Sequence, residues 1–243
     1  MIFLTAKAKG AQMFCCIFVP PQLNSIFIAE LISMASIKNI IFDMGGVLMN
    51  LDYNKTTNAF RDLGYHDFEK MYSMLAVNNV FDNLETGKIE EAEFYKVMLE
   101  AGNGSANKEQ ITLAWNAMLL DFRETSLQFL KELGQSYRLF LLSNTNSIHK
   151  TAFDANFRNQ TGLASLDEFF SKAYYSHQVG LRKPGREIFR FVELDAGISA
   201  AETLFIDDLH ANIETAMNLG FKTHLLLPGE KIEDLDYSQY AAI

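Results

Sequence analysis

The sequence predicts an α/β fold in which a parallel sheet is covered by helices on both faces, with an all-helical domain inserted after the first strand. Three observations carry this. From Ile37 onward, short apolar runs rich in β-branched residues alternate with helical patterns. Three of those runs stop abruptly at polar residues, as strands do where they feed a loop. Between Asp52 and about Asp121, helical patterns succeed one another without an apolar strand run, so the insert interrupts the sheet rather than extending it.

The first run is Ile37, Ile40, Ile41 and Phe42; it ends at Asp43, and Gly45 and Gly46 follow at once. Such a pattern is a buried strand entering a tight turn, because glycine tolerates the backbone angles the turn needs. The insert comes next. Helical patterns over 90–99 and 110–119 are separated by turn signals at Gly64, at Gly87 and over 102–105. A second strand run covers 137–142 and ends in Ser143, Asn144, Thr145 and Asn146. Gly180-Leu181-Arg182-Lys183-Pro184 then forms a loop that proline fixes before a helix over 185–193. The third run, 203–206, ends in Asp207 and Asp208. Leu209, Ile213, Ala216 and Met217 follow at helical spacing, with Gly220 as C-cap before a last strand over 222–227. The acidic stretch 230–236 reads as a solvated tail. The division is therefore a core of 37–52 and 122–243, a helical cap of 53–121 and an N-terminal extension of 1–36.

Composition narrows the partners. Thirty acidic residues against twenty-one basic ones, a net charge of -9 and no basic run leave no surplus for a phosphate backbone or an anionic membrane, so neither nucleic acid nor membrane is expected. Cys15 and Cys16 are adjacent, a spacing that rarely closes a disulfide and makes no metal motif with the five histidines. A reducing cytoplasm is expected on that ground. Residues 1–36 do not fit the rest. Their apolar run, 13–19, is too short for a bilayer, which needs about 20 apolar residues, and Pro20-Pro21 ends it. They read as a poorly packed extension ahead of a natural start at Met34. A structured N-terminal element and a targeting signal are the alternatives.

Chemistry collects at the strand ends. In open α/β sheets ligands bind beyond the carboxyl ends of the strands, and here Asp43, Ser143 with Asn144, and Asp207 with Asp208 converge on that edge. Carboxylates gathered there from distant positions repel, and a hard cation with few oxygen ligands, Mg²⁺, resolves the repulsion. A phosphate fits between that metal, the Ser143 hydroxyl and a lysine, for which Lys183 is the candidate. Taken singly, a strand-end aspartate is more often a helix cap and a Lys-Pro pair more often a surface turn.

Ile40-Ile41-Phe42-Asp43-Met44-Gly45-Gly46-Val47-Leu48, Leu142-Ser143-Asn144, Arg182-Lys183-Pro184 and Phe205-Ile206-Asp207-Asp208 together resemble the four ordered motifs of the haloacid dehalogenase-like hydrolase superfamily. The resemblance extends over nearly all of 37–227. It implies a Rossmann-like doubly wound sheet with a helical cap between the first and second motifs, and Mg²⁺-dependent phosphatase chemistry. By that resemblance Asp43 is the nucleophile that becomes a phosphoaspartate. Ser143, the Asn144 backbone and Gly45 bind phosphoryl oxygens, and Lys183 neutralises charge on the nucleophile and the transferring group. Asp43, the Gly45 carbonyl and Asp207 ligate the metal, with Asp208 binding directly or through water. Asn212 either orients Asp208 or faces solvent.

One position departs from the family pattern. Gly45 stands where most phosphatases and phosphomutases of the superfamily carry an aspartate that protonates the leaving oxygen, a contribution of about 10²- to 10⁴-fold. The departure favours good leaving groups, or a proton from water, substrate or a cap residue. The expected activity is hydrolysis of small phosphorylated metabolites, sugar phosphates foremost, by a monomer or homodimer. A dehalogenase or phosphomutase of the same fold, or a non-catalytic metal- and phosphate-binding module, are the alternatives. In the cap, Phe81, Asn83, Glu85, Gly87 and Lys88, and Trp115 with Asn116, are candidates to face the substrate. His149 and His177 are candidates to lie near the pocket.

Overall fold

The computed structural model describes residues 37–65 and 68–240; the expected N-terminal extension lies outside the described residues. Among the described residues there are seven strands: β1 (Asn39–Phe42), β2 (Met49–Leu51), β3 (Leu119–Phe122), β4 (Arg138–Ser143), β5 (Lys172–Tyr175), β6 (Thr203–Asp207) and β7 (Lys222–Leu225). The α-helices are α1 (Tyr53–Asp62), α2 (Phe68–Val77), α3 (Val80–Glu85), α4 (Glu91–Ala101), α5 (Lys108–Asn116), α6 (Glu124–Leu133), α7 (Ser147–Thr161), α8 (Ser176–Val179), α9 (Arg186–Ala196) and α10 (His210–Asn218).

Five strands form one sheet in the order β5-β4-β1-β6-β7, and every neighbouring pair is parallel. Parallel strands are buried on both faces, which is why β1 reads Asn-Ile-Ile-Phe with no exposed position. Side chains alternate between the faces. Ile40, Phe42, Leu139, Leu141, Leu204 and Ile206 pack with Leu130 of α6 and Phe153 and Phe157 of α7. Ile41, Phe140, Leu142 and Phe205 pack with Ile188 and Phe189 of α9 and Ala216 of α10 on the other side. The sheet is thus doubly wound about β1, and the chain reverses direction of travel across it between β5 and β6.

Helices α1 to α5 have a third apolar cluster, built on Phe60, Phe68, Phe81, Phe94, Met98, Ile111 and Trp115, which Ile148 of α7 joins from the sheet side. At their base β2 and β3 pair antiparallel, a two-stranded ribbon joining them to the sheet. The helix expected over 110–119 ends at Asn116. Leu119, at helical spacing from Trp115, is instead drawn into β3 opposite Leu51.

The acidic stretch 230–236 is not a solvated tail. Ile232 within it and Tyr237 beyond it are buried in the core, Ser126 Oγ donates to Glu233 at 2.7 Å, and Arg123 donates to the Glu230 carbonyl at 3.5 Å. Two apolar anchors outweigh the solvation of the charges around them, and the segment lies against α6.

Candidate active site

Register places the acidic residues. Phe42 is paired with Ile206, and the Asp43 amide donates to the Ile206 carbonyl at 2.9 Å, so Asp43 leaves β1 level with Asp207 at the end of β6. On the other side of β1, β4 ends in Ser143. Asp43 opens a tight loop in which the Met44 carbonyl accepts from the amides of Leu48 and Met49 at 2.8 and 2.9 Å. Gly46 in that loop has φ +72°, and a Cβ there would run into the Asp208 carboxylate, so glycine is what lets the two motifs meet.

Asp43, Asp207 and Asp208 each offer a carboxylate oxygen within 4.8 Å of the others. Lys183 sits among them with 1% of its side chain exposed, its Nζ 2.8 Å from Asp43 Oδ1 and 2.6 Å from Asp207 Oδ2. Burial pushes the Asp43 carboxyl up to about 7; Lys183 opposes this, and Asp207 and Asp208 add to it. Burial would lower the Lys183 pKa, yet Asp207 and Asp43 hold it above its ordinary value, so the ammonium stays charged. Asp208 is raised by burial and by the neighbouring Asp207. An excess of carboxylate over lysine in a dry site is the electrostatic setting a divalent cation relieves.

The predicted residues have distinct tasks. The Asn144 side chain brackets Lys183, its Nδ2 donating to the Lys183 carbonyl at 2.8 Å and its Oδ1 accepting from the Lys183 amide at 2.9 Å. Asn212 neither faces solvent nor orients Asp208. Its Nδ2 is buried and donates to Asp207 Oδ1 at 2.9 Å and Oδ2 at 3.0 Å. The Leu209 amide donates to Asp207 Oδ1 at 2.8 Å as well, so the start of α10 grips Asp207.

Above this cluster lies a cavity of about 440 Å³ bounded by both halves of the molecule. Asp43, Gly45, Ser143, Asn144, Lys183 and Asp208 form its polar end, while Tyr53, Phe68, Tyr72 and Trp115 give it aromatic walls. Of the predicted helical-segment residues, Glu85 and Trp115 line it. Asn116 reaches it only through His149, whose Nδ1 is 2.8 Å from Asn116 Oδ1. Phe81 is in the helical core, stacked between Tyr72 and Trp115. Gly87 sits against the His177 carbonyl, where a Cβ would approach to 2.5 Å, and Lys88 is exposed. Asn83 closes the turn, its carbonyl accepting from the Lys88 amide at 2.7 Å. His149 lines the cavity, whereas His177 does not.

Two contacts were not read from the sequence, the first made by Arg182 of the Arg182-Lys183-Pro184 motif. Arg182 joins the halves, pairing with Asp82 and, through Nη2 at 3.1 Å, with Glu85, whose carboxyl burial raises and Arg182 lowers. Thr56 Oγ1 donates to the Trp115 carbonyl at 3.2 Å and accepts from the Met118 amide at 3.1 Å, fixing the cavity wall where α5 ends. No helix among the described residues is long and apolar enough to cross a membrane.

Comparison with known proteins places this geometry. The family model of haloacid dehalogenase-like hydrolases matches residues 37–220. A D-ribitol-5-phosphate phosphatase from Bacteroides thetaiotaomicron is 34% identical over 188 residues, covering 77% of this chain and 90% of that protein. A sesquiterpene phosphatase from Aspergillus oryzae is 28% identical over 190 residues, covering 75% of this chain and 86% of that protein. Among solved structures, a HAD family enzyme from Bacteroides thetaiotaomicron in complex with magnesium and inorganic phosphate superposes with a TM-score of 0.75 at 35% identity, covering 81% of this chain and 98% of that one.

Proposed function

The chain belongs to the haloacid dehalogenase-like hydrolase family, and from that premise we propose that it is a Mg²⁺-dependent phosphatase of small phosphorylated metabolites, sugar and polyol phosphates foremost. The observation that carries the proposal is the meeting of Asp43, Asp207 and Asp208 within 4.8 Å, with Lys183 bridging two of them at the polar end of a cavity of about 440 Å³. Two relatives matched over most of their own length are named as phosphatases, and one related structure holds magnesium and phosphate together.

In this reading an Asp43 carboxylate oxygen attacks phosphorus, the substrate oxygen departs, and water later hydrolyses the aspartyl phosphate. Lys183 holds the attacking carboxylate in place and offsets charge on the transferring group. The Ser143 hydroxyl and the Asn144 backbone bind phosphoryl oxygens, while the Asn144 side chain keeps Lys183 in position. Asp43, the Gly45 carbonyl, Asp207 and Asp208 would hold Mg²⁺, for which their oxygen donors are suited. When bound, Mg²⁺ supplies positive charge that offsets the carboxylates and the phosphoryl oxygens. The retained Asp207-Asp208 pair disfavours the dehalogenase alternative, which needs no metal.

Gly45 has no side chain to protonate the leaving oxygen, so that proton comes from water, substrate or the helical segment. Of the two carboxyls that segment brings to the cavity, Glu69 and Glu85, Glu85 is the less exposed. Residues 53–121 act as a cap that closes over the site and excludes water, clamped by Arg182 to Asp82 and Glu85. Charge balance and cysteine spacing support a cytoplasmic protein without a nucleic-acid partner, and a monomer or homodimer is part of the same proposal.

The test is phosphate release from D-ribitol 5-phosphate, a panel of sugar phosphates and p-nitrophenyl phosphate, with and without Mg²⁺. Release that needs Mg²⁺ and is lost in Asp43→Asn supports the proposal. Release that survives the substitution refutes the nucleophile assignment, and no release from any substrate favours a non-catalytic binding module.

A further inference from the structure

Among the described residues His149 is the one histidine that lines the cavity, and the polar contact of its ring engages one nitrogen. It lies in the first turn of α7, directly after the Ser143-Asn144 loop, with its amide held by the side chain of Asn146 at 3.0 Å. The residue is 8% exposed. One ring face is stacked on Trp115, with centroids 5.2 Å apart and planes within 4°. Nδ1 is 2.8 Å from Asn116 Oδ1.

An amide oxygen can only accept a hydrogen bond, so this contact puts the imidazole proton on Nδ1. Nε2 then carries the lone pair. Among the described residues no donor reaches it, and it is the polar atom the ring has left to present to the cavity. The ring does not escape this state by taking a second proton. Burial pushes its pKa down to about 3, and the start of a helix is itself unfavourable to a cation. His149 is therefore a fixed acceptor, a few residues along the chain from Ser143, in a wall otherwise dominated by aromatic rings.

We propose that His149 Nε2 reads a free hydroxyl on the alcohol portion of the substrate, and that the Asn116–His149 pair selects phosphomonoesters of polyols or sugars over phosphomonoesters of apolar alcohols. This rests on the phosphatase reading above. A hydroxyl donating to Nε2 satisfies an acceptor that a bound apolar chain would cover and leave unpaired, and that asymmetry is what gives a polar contact discriminating power once substrate displaces water. Asn116 is the positioning residue: it touches no substrate and acts by locking the tautomer.

The experiment compares D-ribitol 5-phosphate with pentyl phosphate, which has the same chain length and phosphate but none of the free hydroxyls. For the Mg²⁺-loaded full chain, the ratio of their kcat/KM values is expected to favour ribitol 5-phosphate. That ratio should fall about tenfold or more in His149→Phe, which keeps the stack on Trp115 but has no acceptor. Asn116→Leu should lower it in the same direction. An unchanged ratio in His149→Phe, with phosphate still released, overturns this inference and leaves the phosphatase reading intact. Absence of phosphate release from every substrate, p-nitrophenyl phosphate included, overturns the phosphatase reading and this inference with it. A second measurement does not depend on the variants folding. Nitrogen NMR of the wild-type histidines should show one ring protonated on Nδ1 and bare on Nε2 from about pH 5 to pH 8. If every ring titrates in that range or carries its proton on Nε2, the inference fails.

Discussion

Lys183 lies between Asp43 and Asp207, 2.8 Å from one carboxylate and 2.6 Å from the other, in a position that water does not reach. Burying a lysine is costly unless it is paired, and this one is paired twice. Its removal leaves two carboxylates facing each other without a counter-charge. Lys183→Met is expected to lower stability by about 3–5 kcal/mol, the usual cost of breaking a buried pair. It should also lower kcat by about 10²- to 10³-fold, as loss of one preorganised charge at the transferring group does. Denaturant unfolding and steady-state rates check both. Wild-type stability in the variant would show that the carboxylates are not held apart by this lysine.

With the same carboxylates as the proposed ligands, stability is expected to depend on metal. A cation that binds the folded chain and not the unfolded one stabilises it by about 2.7 kcal/mol at a hundred times its Kd. For a chain of this size that is a rise in Tm of roughly 5–10 °C. Thermal melts with EDTA and with Mg²⁺ measure it, and the rise should be larger still in Lys183→Met. Superimposable melts would argue against a metal at Asp43, Asp207 and Asp208.

Asn212 donates to both oxygens of Asp207, fixing which way the carboxylate points. Asn212→Leu keeps the volume but removes both bonds, and the loss of such an outer contact typically weakens metal affinity about 10- to 100-fold. Titration of Mg²⁺ against activity should show that weakening, while saturating Mg²⁺ restores part of kcat. If the Mg²⁺ dependence does not move, Asn212 supports the fold alone.

Gly45 can be tested by adding back what it lacks. A Cβ there would approach Leu51 Cδ1 to 2.6 Å, and the obstacle is the end of a flexible side chain rather than backbone. Gly45→Asp combined with Leu51→Ala is expected to raise turnover of alkyl phosphates, whose leaving groups need a proton, more than that of p-nitrophenyl phosphate. The differential should approach the lower end of the acid/base range, about 10²-fold. Equal changes for both substrates would mean that leaving-group protonation does not limit the wild-type enzyme.

Much of this was legible before any coordinates, and the exceptions have physical causes. β1, β4 and β6 are central parallel strands, so both faces are apolar and each run stops where the polar residues begin; Asp43, Ser143 and Asp207 stood out for that reason. β5, Lys-Ala-Tyr-Tyr, is an edge strand with a charged first residue and offers no such run. Leu119 sits four residues after Trp115 and so mimics a helix position, while pairing with β2 makes it a strand. Spacing likewise suggested Asp208 as the partner of Asn212, one helical turn away, whereas the Asp207 side chain turns back into the start of α10 and takes both bonds. The role of His149 depends on Asn116, 33 positions earlier, a relationship no local pattern carries.

The proposed mechanism requires that the Asp43 carboxylate be phosphorylated during turnover. Wild-type protein mixed with Mg²⁺ and D-ribitol 5-phosphate, quenched in acid within the first turnover and digested for mass spectrometry, tests it most directly. The account predicts a phosphorylated peptide carrying Asp43, formed with Mg²⁺ and absent in Asp43→Asn. Phosphate release with no phosphorylated Asp43 peptide at any quench time, or the modification on another residue, would contradict it.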